Sequence, residues 1–420
     1  VLVRHVEHSE AALLVGDSEH PEWRDLATGL EGRSTECVGF TVEQGPEALQ
    51  ALVEALPSAR TQAARSALAL DDPAMIIYTS GTTGSPKGVL LSHGNLESNA
   101  RTIASYLEIQ PNDRTLCVLP FYFSYGNSVL HSHLWSGASI VLEDNLAFPQ
   151  VTLRKLQDER ITGFPGVPST FAMLLRCRLE EFDLSSLRYL TQAGGHMPSA
   201  MVERLRQSIP HAKLFVMYGQ TEATARISYL PPERLGDKLG SVGRPIDGVR
   251  VEVRDGSTVV PSGEVGEICV SGPNVMLGYW RNPEATRRAL DDGWLRTGDL
   301  GYVDDEGFLY LTGRAVEMIK VGAFRVSPLE VEEVLATMDG IADAAVVGVA
   351  DEMLGQVVKA IVVPEDGRAL DVMAIKEHCR RNLASYKVPK FVEVTAALPR
   401  TSSGKVQRFK LIGESLAHGS

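Results

Sequence analysis

The densest collection of chemically useful groups lies in one run, Thr79-Ser80-Gly81-Thr82-Thr83-Gly84-Ser85-Pro86-Lys87. Glycines permit tight turning and let neighbouring backbone N–H groups converge on an anion. The hydroxyls add donors and Lys87 adds a mobile positive charge. That inventory suits a polyphosphate. In a P-loop the lysine follows a glycine and precedes Ser or Thr, whereas Lys87 stands between Pro86 and Gly88. The run supports phosphate binding and does not support a GTPase or P-loop ATPase. A flexible linker is disfavoured, because an apolar run resumes at Val89–Leu91. Three further segments carry reactive side chains at a distance: YGQTEA (Tyr218–Ala223), RTGD (Arg296–Asp299) and PRTSSGK (Pro399–Lys405).

Several elements must position these groups. The apolar run Met75–Tyr78 reads as a short strand that opens onto the loop. Helices are expected at Pro46–Ala59, Asn95–Leu107, Pro149–Asp158 and Pro198–Gln207, and strands at Ala11–Gly16, Leu116–Pro120, Ala138–Leu142, Leu187–Thr191 and Leu214–Tyr218. GFPGVPST (Gly163–Thr170) reads as a rigid turn-rich segment, and PFYFSYGNS (Pro120–Ser128) as pocket wall. Repeated strand-to-helix switching predicts α/β layers with ligands beyond the carboxyl ends of strands. After Gly240 the texture changes to closely spaced strands, at Val249–Val253 and Glu267–Val270, with turns and short strands over Asp291–Arg314. Beyond Arg314, helices at Pro328–Met338 and Asp371–Leu383 and strands at Ala344–Val349 and Phe391–Val394 predict a small α+β unit. The expected organisation is a layered α/β large domain over 1–314, with a β-rich subdomain at about 240–312, followed by a small, mobile α+β C-terminal domain over 315–420.

The 420 residues exceed what one core usually holds. A hydrophobic content of 44% with 22% charged residues describes a globular chain. The formal net charge of -12 disfavours nucleic acid as a partner. Five scattered cysteines without a C-x-x-C pair point to a reducing compartment and a cytoplasmic protein, and no apolar run reaches membrane-spanning length. His131 and His133 lack a third ligand at metal-binding spacing, which assigns them a structural or surface role. Trp135 reads as core, and the pairs Arg287–Arg288 and Arg380–Arg381 as solvated helix faces.

The four reactive segments, in this order and at these separations, resemble the adenylate-forming superfamily of acyl- and aryl-CoA synthetases, peptide-synthetase adenylation domains and luciferases. The likeness runs from Ala11 to Leu411 and is nearest to an AMP-forming acyl-CoA synthetase. Family members usually carry a sizeable portion before the point where this chain begins, so part of the large domain is expected to be missing. The resemblance implies an enzyme with two steps. A carboxylate attacks the α-phosphorus of ATP to give acyl-AMP and pyrophosphate, and a thiol then attacks the acyl carbon and releases AMP. Thr79, Ser80, Gly81, Thr82, Thr83, Gly84 and Lys87 would cradle the β- and γ-phosphates. Tyr218 and Gly219 would flank adenine, Thr221 would bond the α-phosphate, and Glu222 would hold Mg²⁺. Gly194 and Gly195 would line the adenine and acyl pocket. Asp299 would bind the ribose hydroxyls, and Arg314 would reach the ribose or phosphate. Lys405 would contact the α-phosphate and the attacking carboxylate together, an interaction worth most in the transition state. Phe123, Ser124, Tyr125, Gly126, Asn127, Gly166, Val167 and Gly195 would surround the acyl group.

Three departures from the family pattern bear on function. Val316 replaces the Asp or Lys usual at the pivot between domains, and Ala323, after Gly322, replaces the glycine usual beside the thiol tunnel. These changes bear on thioester formation, not adenylation. Phe123 stands at the position of the usual histidine or aromatic gate and would still serve as a gate against the acyl pocket, and Ser124 stands where amino-acid-activating relatives carry an aspartate. An unpaired ammonium there would be costly, so the expected substrate is a fatty or aryl acid without an amino group. The expected acceptor is coenzyme A. The alternatives are the phosphopantetheine arm of an acyl carrier protein and, in another class, a degenerate nucleotide-binding or regulatory module. Intact Lys87, Thr221, Glu222, Asp299 and Lys405 oppose the last.

Overall fold

The computed structural model describes residues 68–79, 87–143, 148–365, 367–401 and 404–412, with two strands and the isolated positions Ser9 and Thr28 before them. Strands β1 (Leu13–Asp17) and β2 (Glu36–Phe40) pair in parallel. The helix expected at Pro46–Ala59 lies outside the described residues, as does most of the phosphate loop. Its flanks are described. Strand β3 (Pro73–Thr79) leads into the loop and β4 (Lys87–Ser92) leaves it, and the two pair antiparallel with Thr79 opposite Lys87. Ser92 then caps helix α1 (His93–Tyr106) in a reciprocal capping box with Asn95, which satisfies N–H groups orphaned by the helix start.

A mixed sheet of seven strands follows. Strand β5 (Arg114–Cys117), helix α2 (Ser124–Trp135), β6 (Ser139–Leu142), α3 (Pro149–Asp158), β7 (Gly163–Gly166), α4 (Pro168–Leu174), β8 (Tyr189–Gln192), α5 (Ser199–Ser208) and β9 (Lys213–Tyr218) alternate along the chain. The sheet is closed at one edge by short antiparallel strands β10 (Ser228–Leu230) and β11 (Arg244–Pro245), in the order β11-β10-β9-β8-β7-β5-β6. β5 to β9 pair in parallel, and β7 and β8 are buried at every position, as strands covered on both faces must be. The core beneath holds Phe164, Phe171, Leu190 and Leu214.

Next comes an antiparallel sheet. It contains β12 (Arg250–Asp255), β13 (Thr258–Val259) and β14 (Gly266–Ser271), and after β15 (Gly278–Tyr279) and helix α6 (Pro283–Ala289) it resumes with β16 (Leu290–Asp291), β17 (Trp294–Val303) and β18 (Leu309–Arg314). β15 leaves this sheet to pair with β4 beside the phosphate loop. The last sheet holds β19 (Ile319–Val321), β20 (Phe324–Val326), β21 (Ile341–Asp351), β22 (Gly355–Pro364) and β23 (Phe391–Val394), packed with α7 (Pro328–Ala336), α8 (Val372–Asn382) and the short α9 (Arg408–Ile412). Ser327 and Asp371 cap α7 and α8. The molecule is thus a large mixed α/β body with a β-rich region, followed by a smaller α+β one.

Some expectations need correction. GFPGVPST is not a turn: it splits into β7 and α4, because Pro168 sits at a helix start, where a missing N–H costs nothing. Pocket wall at Pro120–Ser128 gives way at Ser124 to the first turns of α2. Trp135 is 52% exposed at the end of α2 and is not core. Asp291–Arg314 contains a ten-residue strand, β17, where short strands were expected. β22 was not anticipated at all. His133 is buried, bonded to the Val129 carbonyl and the Tyr189 hydroxyl. Arg288 pairs with Glu284, and Arg380 and Arg381 pair with Glu377, on exposed helix faces.

Candidate active site

The carboxyl end of β9 carries Tyr218 into Gly219, Gln220 and a single 3₁₀ turn over Thr221–Ala223. The chain then doubles back with Thr224 at φ +58° and Ala225 at φ +115°. A Cβ on Gly219 would lie 1.8 Å from the Ala225 carbonyl oxygen, so only glycine allows this return. Asn274 braces the turn: its side-chain amide N–H donates to the Arg226 carbonyl at 2.7 Å, and its backbone carbonyl accepts from the Thr224 hydroxyl at 2.6 Å. Thr221 and Glu222 are therefore presented on a rigid loop.

Asp299 on β17 and Arg314 on β18 are direct cross-strand partners. Arg314 Nε lies 2.9 Å from Asp299 Oδ1, and the Tyr218 hydroxyl donates to Asp299 Oδ2 at 2.7 Å. Asp299 is 7% exposed and held on both oxygens. Burial, then the neighbouring Asp299 charge, hold the Tyr218 phenol well above its ordinary range, so it remains a donor. Tyr218, expected only beside adenine, thus also orients the Asp299 carboxylate.

Lys405, in the C-terminal body, is near enough to Arg314, Asp299, Glu222 and Glu317 for their charges to act on it. It keeps contact with solvent. Desolvation and then the Arg314 charge lower its ammonium below the ordinary lysine range, while Asp299, Glu222 and Glu317 oppose that shift. Gly404, at φ +80°, fits against the large body so closely that a Cβ would lie 2.8 Å from both Val167 Cγ2 and Ser169 Oγ. A second contact joins the bodies: Glu333 on α7 lies 2.7 Å from His196 Nε2 and accepts from the Ser199 backbone N–H.

Two further links were not read from the sequence. The Tyr279 hydroxyl on β15 donates to Glu222 Oε1 at 2.8 Å, and Lys87 Nζ sits 5.0 Å from the centre of the Tyr279 ring. The end of the phosphate loop, Tyr279 and Glu222 therefore form one chain of contacts. Thr221 Oγ1 lies 3.1 Å from Ser124 Oγ, which ties the turn to the start of α2. A tyrosine within an apolar stretch gives no sequence signal of either partner.

The remaining expected residues divide. Thr79 and Lys87 flank the loop; Ser80, Gly81, Thr82, Thr83 and Gly84 lie outside the described residues. Phe123 and Ser124 are half-buried at the start of α2, and Val167 packs beside Gly194, with Gly195 exposed next to it. Gly126 and Gly166 do not leave open space: a Cβ on Gly126 would meet the Pro120 carbonyl oxygen at 2.3 Å, and one on Gly166 would meet the Phe171 ring at 2.9 Å. Their smallness serves packing. Tyr125 and Asn127 are buried, the former bonded through its hydroxyl to Thr191. Val316 is 75% exposed, and Gly322 and Ala323 form the exposed turn between β19 and β20.

Comparison with known proteins gives a consistent result. A family model described as AMP-binding enzyme matches residues 2–280, and one described as AMP-binding enzyme C-terminal domain matches residues 330–405. The chain is 36% identical over 407 residues to a 2-succinylbenzoate–CoA ligase of Bacillus licheniformis, covering 97% of this chain and 80% of the relative. It is 40% identical over 341 residues to an indoleacetate–CoA ligase of Aromatoleum aromaticum, covering 80% of this chain and 66% of that one. Among solved structures, o-succinylbenzoate CoA synthetase from Bacillus subtilis, in complex with its acyl-adenylate intermediate OSB-AMP, superimposes with a TM-score of 0.82 at 32% identity, covering 98% of this chain and 80% of that one. ATP-bound MatB from Rhodopseudomonas palustris gives 0.85 at 31%, with the same coverage.

Proposed function

This chain belongs to the AMP-binding enzyme family, whose chemistry is activation of a carboxylic acid to acyl-AMP, and we propose that it acts as an ATP-dependent carboxylate–CoA ligase. The observation that carries this reading is that Gly404, next to Lys405, packs against Val167 and Ser169 of the large body, which brings the C-terminal tail to the body that holds the Asp299–Arg314 pair and Glu222. Adenylation brings a carboxylate against a polyphosphate, so catalysis rests on positioning and on holding charge at the α-phosphoryl group. Asp299, fixed by Tyr218 and Arg314, accepts from the ribose hydroxyls. Thr221 donates to the α-phosphate. The Lys405 ammonium bridges the α-phosphate and the incoming carboxylate, and stabilises the charge that develops between them. It acts as a charge, not a base, because the substrate carboxylate is already ionised.

Magnesium fits the donors present. No group of three or more His, Cys, Asp or Glu that would cage a metal occurs among the described residues. A single carboxylate, Glu222, with one oxygen fixed by Tyr279, suits an ion bound mainly through substrate phosphates and water. Bound there, Mg²⁺ would neutralise phosphate charge. The substrate is a fatty or aryl acid without an amino group: Ser124 offers no counter-charge for an ammonium, and relatives are named for 2-succinylbenzoate, indoleacetate and feruloyl groups. The thiol step follows rotation of the C-terminal unit about the segment after Arg314, with Val316, Gly322 and Ala323 at the pivot and thiol entry. Buried thiols at Cys117, Cys269 and Cys379, pushed up to about 11 by burial, suit a reducing, cytoplasmic setting. No helix among the described residues is long and apolar enough to cross a membrane.

The test is ATP–pyrophosphate exchange with a carboxylic acid panel, followed by mass spectrometry for acyl-AMP and for acyl transfer to coenzyme A or to a carrier-protein phosphopantetheine. Exchange with thioester on CoA supports the reading. Thioester on the carrier alone reassigns the acceptor. ATP binding without exchange for any acid would leave only a nucleotide-binding module.

A further inference from the structure

Beside the site the two bodies meet at Gly404, seated on Val167 and Ser169, and at Glu333, set against the loop before α5. The second contact is made of charge. Glu333 Oε1 lies 2.7 Å from His196 Nε2, and its two oxygens lie 3.3 and 3.2 Å from the Ser199 backbone N–H that donates to them. Ser199 opens α5, so the carboxylate also meets the positive end of a ten-residue helix. The approach to His196 is close but bent, and Nε2, shut off from solvent, makes no aligned hydrogen bond. Burial pushes the Glu333 carboxyl up, yet the His196 and Ser199 contacts outweigh it and hold the group below the ordinary carboxylate range. Glu333 is therefore ionised, and its polar partners among the described residues belong to the opposite body.

Bonded contacts lead from Glu333 to the tail that carries Lys405. Glu332, the preceding residue on α7, turns inward: it is buried and accepts from Arg408 at 2.9 and 3.1 Å. Arg408 also donates to Glu317, beside the pivot, at 3.3 Å. The tail between Arg408 and Lys405 is closed into one piece. The Gln407 N–H donates to the Pro399 carbonyl at 2.8 Å, and Arg400 Nη1 donates to the Gly404 carbonyl at 2.6 Å. Adjacent carboxylates on one helix thus face opposite ways, one gripping the large body and the other the tail. On the large body, the loop that bears His196 is fixed by the Gln192 side chain, which donates to the Gly195 carbonyl at 2.8 Å. The ion pair Arg204–Glu365, at 3.8 Å between exposed side chains, adds little to this junction.

We propose that His196 and Glu333 are positioning residues for adenylation: together they form a latch that holds the C-terminal body where its tail brings Lys405 to the nucleotide, and they part before that body turns for thiol transfer. The inference rests on the ligase reading and adds to it what sets a given copy for the first half-reaction. Both side chains keep some contact with water, 21% and 29% exposed, so solvent takes over their charges when the latch opens. The contact biases the arrangement without locking it.

The two half-reactions of the full chain test this separately. One is pyrophosphate exchange with ATP, Mg²⁺ and hexanoate, octanoate, benzoate or phenylacetate. The other is thioester formation from the synthetic acyl-AMP of the most active acid, with coenzyme A and, separately, with pantetheine. Glu333→Ala suits a helix; it should lower kcat for exchange about 10-fold, the scale of one charge-assisted hydrogen bond. The KM for ATP should stay within about 2-fold, and thioester formation from supplied acyl-AMP should hold or rise, which also shows that the variant is folded. Glu333→Gln, which keeps an acceptor for Ser199, should recover part of the loss. His196→Ala should match Glu333→Ala, and the double variant should be no worse than either, since members of one contact are not additive. In a Lys405→Ala background Glu333→Ala should cost nothing further, because the latch acts through that lysine. Unchanged exchange in Glu333→Ala, or the same loss again without Lys405, overturns the inference and leaves the ligase reading intact. An equal fall in both half-reactions with a lower melting temperature makes the contact merely structural and also overturns it. No wild-type exchange with any acid, here or in a wider panel, overturns both readings.

Discussion

Removing one oxygen from Tyr279 should uncouple magnesium dependence from the rest of catalysis. In Tyr279→Phe the ring stays, and with it the contact to Lys87, while the 2.8 Å hydrogen bond to Glu222 is lost. A hydrogen bond to a charged acceptor contributes about 1.5–3 kcal/mol. Glu222 and Tyr279 are only partly buried, so water replaces much of that bond. A net loss of about 1 kcal/mol remains, which is roughly 5-fold. The loss belongs to the orientation of Glu222, so it should appear as a 5-fold higher Mg²⁺ concentration for half-maximal exchange. The rate at saturating Mg²⁺ should change less than 2-fold, about the scale of a few tenths of a kcal/mol. The assay is pyrophosphate exchange titrated with Mg²⁺ at fixed ATP, beside calorimetry of Mg–ATP binding. An unchanged Mg²⁺ titration, or a rate loss that excess Mg²⁺ does not recover, refutes the assignment of Tyr279 as the residue that positions Glu222.

Other outcomes follow from the same geometry. Lys405→Ala should lower adenylation by about 100- to 1,000-fold, the scale of one preorganised charge-stabilising group, while ATP affinity measured by calorimetry changes little. The active form of Lys405 is the ammonium and its pKa is lowered, so activity is complete at low pH and is lost as pH rises through that value. The alkaline limb of the pH–rate profile should therefore start below the ordinary lysine range near 10.4, and Lys405→Arg should move it upward in whatever activity remains. Gly404→Ala combines a left-handed backbone with two contacts at 2.8 Å; it should reduce exchange about 10-fold, an undocking cost of about 1–2 kcal/mol, with the melting temperature nearly unchanged. Arg408→Met should destabilise the C-terminal body by about 3 kcal/mol, because it strips both guanidinium contacts, 2.9 and 3.1 Å, from buried Glu332; Glu332→Gln in the same background should recover part of that loss in thermal melts.

The residues that meet at the site were readable because each sits at a local signal. Gly219, Gly298 and Gly404 mark turns, and a charged or hydroxyl residue follows each within a few positions. The strand and helix alternation was readable for the same local reason, since period and punctuation are properties of neighbours. What stayed hidden depends on register between distant segments. That Asp299 faces Arg314 is set by the β17–β18 pairing, and that Tyr279 reaches Glu222 is set by β15 crossing to β4. Gly126 and Gly166 looked like room for substrate because sequence shows the absent side chain and not the carbonyl or ring that fills its place.

The seat of Gly404 between Val167 and Ser169 has a kinetic corollary. Clearance there is less than a methyl group, so, on the proposed role of Lys405, the tail that carries it docks as a close-fitting piece. If adenylation requires that docking, it would proceed only in copies whose tail is seated. Viscosity, temperature or crowding would act by changing how often the seat is filled, leaving the speed of the chemical event in each seated copy the same.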